Sequence, residues 1–123
     1  MAITSLRRGS FPANTAYAEA GAVTQGGSAK TTTVVMSQMQ GVITMDDDNL
    51  AAATEVVFTV TNTLVEVTDT IALSIQSGGT AGEYMAQVVT VANGSFIVAL
   101  TNLSGSTAGD AVIINFAVIR GDQ

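Results

Sequence analysis

Apolar and polar positions along this chain change rhythm near residue 34. From there they alternate with a period of two, the pattern of strands that bury one face. Glu55 to Asn62 is the clearest stretch: Val56, Phe58 and Val60 fall on one face and Val57, Thr59 and Thr61 on the other. Thr70 to Gln76 repeats the pattern, with Ile71, Leu73 and Ile75 opposite Thr70, Ala72, Ser74 and Gln76. Val34 to Met39 and Gly41 to Met45 are shorter candidates. Tyr84 to Ala92 and Ser95 to Thr101 flank Asn93-Gly94. That pair favours a two-residue type I′ turn, in which both central residues need positive φ, so it predicts a hairpin. In the last strand, Ala111 to Ile119, Val112, Ile114, Phe116 and Val118 form a core-facing set. The opposite set, Ile113, Ala117 and Ile119, is apolar too, with Asn115 the exception. A strand apolar on both faces is sandwiched between layers or lies at a subunit interface.

Asp46-Asp47-Asp48-Asn49 reads as a turn, and Leu50 to Thr54 is too short for a stable helix of its own. A succession of short strands separated by turn signals predicts an all-β fold, an antiparallel β-sandwich of jelly-roll or Ig-like type over residues 34–123. Residues 1–33 hold no sustained period and contain Arg7, Arg8, Lys30 and the only proline, Pro12. They predict an extended N-terminal arm with Ile3, Leu6, Phe11 and Tyr17 as anchors. A disordered terminus is the plainer alternative. The company of basic residues and aromatic anchors favours an arm that orders on a partner.

Composition narrows the function. Hydrophobic residues make up 47% of the 123 and charged residues 11%, against about 25% charged in ordinary soluble domains. A surface of Thr, Ser, Ala and Gly suits burial against other subunits, because few charges must be desolvated. Between Lys30 and Arg120 there is no Lys or Arg, and the net charge is −6. An acidic body lacks the clustered cations that grip phosphates, so nucleic acid is not an expected partner. No stretch approaches the roughly 18 apolar residues of a membrane span. No apolar run follows Arg7-Arg8, so no signal peptide is expected and synthesis falls in a cytoplasm.

The chemistry available is sparse. The chain has no His and no Cys, which excludes a Ser–His–Asp arrangement, a disulfide framework and Cys-ligated zinc. A Ser–Lys pair would require Lys30, in the arm, to reach the body. Paired carboxylates among Glu55, Glu66, Asp69 and Glu83 could in form serve glycoside hydrolysis, but sugar sites bring aromatic platforms that this chain lacks. No enzyme, catalytic residue, cofactor or small-molecule ligand is expected. Asp46-Asp47-Asp48 does not match a calcium loop and reads as a solvated turn, so no metal site is expected either. Met36, Met39 and Met45 read as core filler, and the sequons at Asn93 and Asn102 as incidental. Ser77-Gly78-Gly79-Thr80-Ala81-Gly82-Glu83 is echoed by Ser104-Gly105-Ser106-Thr107-Ala108-Gly109-Asp110. The two are interchangeable glycine-rich connections, or they share one end of the sandwich and form a contact surface.

Three segments carry a family likeness. They are EVVFTVTNTLVEVTDTIALSIQSGGTAG, the hairpin ANGSFIVALTNLSG and the closing strand AVIINFAVIRG. Over residues 41–121 the chain resembles small β-sandwich virion proteins of tailed bacteriophages, including those of cyanobacterial and marine hosts. Nothing in the arm shares in the likeness. The resemblance implies a homotrimeric capsid decoration (cement) protein on the virion surface. Arg7, Arg8, Phe11 and Tyr17 would then bind the major capsid protein, and Ile113, Ala117 and Ile119 would line the trimer. The alternative implied by the same likeness is a head or tail fibre or receptor-binding module that touches host glycans through its glycine-rich loops.

Overall fold

A computed structural model describes residues 20–121 as a two-sheet β-sandwich. Its strands are β1 (Gly21–Thr24), β2 (Val34–Val35), β3 (Gln40–Thr44), β4 (Glu55–Thr61), β5 (Thr70–Ser77), β6 (Tyr84–Ala92), β7 (Ser95–Asn102) and β8 (Ile113–Ile119). One sheet has the order β1-β3-β8-β5 and the other β2-β4-β7-β6. The predicted all-β sandwich is therefore the observed fold. β3 pairs with β8 and β4 with β7, both antiparallel. This nesting of an inner pair within an outer one is the folded-ribbon pairing of a jelly roll.

The alternating sets face as their periodicity requires. Phe58 and Val60 of β4, Phe96, Val98 and Leu100 of β7, and Ile114, Phe116 and Val118 of β8 are buried between the sheets. Phe96 and Phe116 join the two layers, with ring centroids 5.5 Å apart and planes tilted by 58°, a favourable edge-inclined contact. Gly41 of β3 also faces inward, and a Cβ there would collide with the Met36 sulfur and meet the Phe116 ring at 3.0 Å. Met36, Met39 and Met45 are all core residues.

Four features depart from the expectation. Residues 20–33, assigned from the sequence to the arm, belong to the body: β1 pairs with β3 from Gly21↔Gly41 to Thr24↔Thr44. A four-residue edge strand of small side chains is too short to show a period. The sheets are also not wholly antiparallel, since β1·β3 and β2·β4 are parallel edge pairs. The predicted strand over residues 34–39 shrinks to Val34–Val35, as Met36 and Met39 turn into the core. Finally, β6 and β7 do form a hairpin with Ala92 opposite Ser95, but only Gly94 has positive φ (87°) and Asn93 does not. The turn is thus not type I′. The β4–β5 connection holds its tip: Gly94 N donates to Val65 O, Asn62 N to Gly94 O, and Val67 N to the Asn93 side chain.

Two fully buried asparagines end strands and organise the loops that follow. Asn62 donates to Gln38 O (2.6 Å) and accepts from Leu64 N. Asn102 donates to Leu50 O and Ser106 O (2.9 Å each) and accepts from Ser104 N. Burial on this scale also rules out Asn102 as an accessible glycosylation acceptor.

Ala53, in the β3–β4 loop, is the one non-glycine residue of positive φ (56°) among the described residues. An L-residue there costs about 1–2 kcal/mol. Ala53→Gly should therefore stabilise the fold by about 0.5–1 kcal/mol, after the extra chain entropy of glycine is subtracted. The midpoint of urea denaturation, followed by far-UV circular dichroism, would measure it.

Candidate functional site

Strand directions gather four connections at one end of the sandwich: residues 25–33, 45–54, 78–83 and 103–112. The carboxylates of Asp46, Asp47, Asp48, Glu55, Glu83 and Asp110 belong to this end. Residue 20, Arg120 and the β4–β5 connection with Glu66 and Asp69 lie at the other.

Lys30 stands at the centre of the acidic end and is 3% exposed. The sequence placed it in the arm, but it packs inside the body. Its Nζ donates to Asp110 O (2.6 Å) and to Asp46 O. Gln25, also buried, donates to the carbonyls of Lys30 and Thr32 and accepts from Asp46 N (2.7 Å). One lysine and one glutamine thus bind three connections together. Burial lowers the pKa of Lys30 and outweighs the upward pull of Asp46, Asp110, Asp48 and Asp47.

The two echoed segments meet here, the arrangement expected if they share a surface. Leu103 N donates to Glu83 O (2.7 Å), and the Tyr84 hydroxyl donates to the Asp110 carboxylate (2.7 Å). Burial and the Asp110 carboxylate both raise the pKa of Tyr84. The loops are not interchangeable, however. Gly78, Gly79 and Gly82 all have positive φ, whereas Gly105 and Gly109 do not. Gly109 is instead a close-approach residue, where a Cβ would lie 2.5 Å from the Asn49 side chain. The first loop, with Ile75, Gln76 and Tyr84, lines a cavity of about 400 Å³. Among the described residues, no three or more His, Cys, Asp or Glu side chains converge as a metal site.

The residues singled out from sequence are distributed unevenly. Arg7, Arg8, Phe11 and Tyr17 lie outside the described residues. Ile113, Ala117 and Ile119 do share the outer face of β8, but only Ile119 is well exposed, at 51%, while Ile113 and Ala117 are half-buried. Large exposed apolar side chains concentrate on the outer face of the other sheet. Val35 is 66%, Val57 44%, Met85 45% and Val89 53% exposed there, around half-buried Ile97. The only charged side chain on the strands of that sheet is Glu55. Sequence reasoning missed this face. Its signal was the mirror image of the core pattern: Met85 and Val89 are apolar at solvent-facing positions of β6, and Val57 is their counterpart on β4.

No family model, curated protein or solved structure matches the chain.

Proposed function

We propose that this chain is a virion structural protein of a tailed bacteriophage: a homotrimeric capsid decoration protein that binds the major capsid protein and stabilises the head. The observation that carries this reading is the polarity of the body. The N-terminal segment, with Arg7, Arg8, Phe11 and Tyr17, joins it at one end, and the carboxylate-rich loops stand at the other. A body held by its arm would turn an acidic, soluble end outward. Lys30 and Arg120 are both engaged within the fold, which leaves Arg7 and Arg8 as the cations suited to capsid carboxylates. The exposed face of β2-β4-β7-β6 supports contact between copies, since little charge would be desolvated there. Ile113, Ala117 and Ile119, expected to line the trimer, offer less exposed apolar surface.

The test is cryo-electron microscopy of the chain mixed with phage heads that lack it. Density at threefold or quasi-threefold axes is expected. The full chain carrying Arg7→Glu and Arg8→Glu should keep its circular dichroism spectrum but lose head binding. Retained binding by the double variant would remove the arm from the mechanism. The cavity beside Gly78–Gly82 supports a second reading, a fibre or receptor-binding module that contacts host glycans. Binding to host surface polysaccharide, with no density on heads, would select it.

A further inference from the structure

The chain has six asparagines, and Asn93 alone is followed by glycine. That pair has a chemistry of its own. A glycine nitrogen, with no side chain beside it, can lose its proton to solvent base and attack the carboxamide carbon of the preceding asparagine. The new N–C bond closes a succinimide. The C–NH2 bond breaks, and the amide nitrogen takes a proton from water and leaves as ammonia. Water then opens the ring at either carbonyl. The product is aspartate or isoaspartate, in which the main chain runs through the former side chain.

Neither burial nor crowding protects the pair. Asn93 is exposed at the tip of the β6–β7 hairpin, and a Cβ on Gly94 would meet nothing within 4 Å. Hydrogen bonds protect it instead. Gly94 N donates to Val65 O (2.9 Å), and the Asn93 carboxamide oxygen accepts from Val67 N (2.9 Å). One bond holds the nucleophile and the other the group it would attack, and both run to the β4–β5 connection. The nitrogen of a succinimide carries no hydrogen, so ring closure must abolish the bond from Gly94 to Val65. The ring and the closed connection therefore exclude each other. We propose that Asn93 is a succinimide-forming modification site held shut by the β4–β5 connection, and that it reacts only when this connection leaves the hairpin tip.

The connection is itself fastened. Val65 N donates to Asn62 O (3.1 Å) and Asp69 N to Glu66 O (2.9 Å). The Asp69 carboxylate accepts from Glu66 N, Arg120 and Gly121 N. That buried carboxylate thus sets how often Val65 and Val67 release the tip. Isoaspartate would make the release permanent. It adds one backbone carbon between Ala92 and Ser95, which pair with each other across the hairpin, so the bonds to Val65 and Val67 could not both be remade. The conversion is then a one-way record of local opening, whatever the body binds.

Mass spectrometry of the full chain at mildly alkaline pH tests it, with fragmentation to place the new acid at residue 93. A peptide of residues 88–99 is the unprotected reference. Hydrogen exchange at the Gly94 amide is followed in parallel by nuclear magnetic resonance. The chain should react about a hundredfold more slowly than the peptide, and the Gly94 N–H should be protected by a similar factor, since both need the same nitrogen released. Asp69→Ala should speed both processes by about tenfold or more, while Glu66→Ala changes neither. Urea below the unfolding transition gives the same readout without a substitution, and both rates should rise together in it. Reaction at the rate of the peptide would overturn the proposal. So would slow reaction beside a freely exchanging Gly94 amide, or slow reaction that Asp69→Ala and urea both leave unmoved.

Discussion

Asp69→Ala is expected to cost about 3 kcal/mol of folding stability, because one buried carboxylate closes the end of the sandwich opposite the acidic loops. The Asp69 side chain has no exposed surface. Its Oδ2 accepts from Arg120 Nη1 (2.8 Å) and Glu66 N (2.9 Å), and its Oδ1 accepts from Gly121 N (3.0 Å). Truncation leaves two backbone N–H groups and a guanidinium without their acceptor. Arg120 is 38% exposed and can recover water, which keeps the figure near the low end for a broken buried pair. Glu66 provides the control. It meets the same Arg120 at 3.5 Å but is 49% exposed, so Glu66→Ala should cost well under about 1 kcal/mol. The same site sets an acid limit. Burial pushes the Asp69 carboxyl up, but the N–H groups of Gly121 and Glu66 and the Arg120 guanidinium outweigh it and hold the pKa below 3.8. The unfolded chain therefore takes up this proton first as pH falls. The contribution of Asp69 is complete above 3.8 and disappears as pH drops through the folded-state value. Urea denaturation at pH 7 and at steps below pH 4 would show the variant losing this acid dependence. Equal stability of variant and parent at pH 7 would refute the assigned role.

The sequence disclosed the fold wherever burial is one-sided and the strand is long. β4, β5, β7 and β8 each repeat an apolar residue at every second position, and their inward sets proved to be the core. β1 was illegible because four small residues carry no period, and its place beside β3 depends on a parallel pairing with no local signal. Asn93-Gly94 fixed the hairpin but not the turn type, because the β4–β5 connection binds the tip through Val65 and Val67, far away in sequence. The same reason hid the acidic end. Asp46, Glu83 and Asp110 are scattered along the chain, and only the up-and-down course of the strands brings them to one rim. Lys30 was the plainest misreading. A lone lysine in a polar stretch looks solvated, and only tertiary structure supplies the carbonyls that let it be buried. A partner is less legible still, since a charge-poor sheet face suits burial but does not say against what.

Lys30→Met should lower stability by about 3 kcal/mol at neutral pH, even though it swaps a buried cation for an apolar side chain of similar length. The stem would still pack, but the carbonyls of Asp46 and Asp110 would lose their shared donor. Asp46, Asp110, Asp48 and Asp47 attract the cation, but the cost of burying it outweighs that pull, so the loss falls on the two carbonyls and not on the charge. Alkaline pH separates this role from simple packing. Burial lowers the folded-state pKa of Lys30 below 10.5. Between that lowered value and 10.5 the unfolded chain keeps a proton that the folded chain has released, so stability gains from Lys30 as pH rises through this window. Tyr84 acts in the opposite sense. Its pKa is raised above 10.0 by burial and by the hydrogen bond to Asp110, so the unfolded chain loses its proton first and stability falls beyond pH 10. Parent protein should thus gain on the approach to pH 10 relative to Lys30→Met, and both should weaken above it. Denaturation midpoints from pH 7 to 11 would trace the two curves. Parallel curves over the whole range would mean that Lys30 binds its proton equally in the folded and unfolded chains, and would refute a cation buried at a net cost.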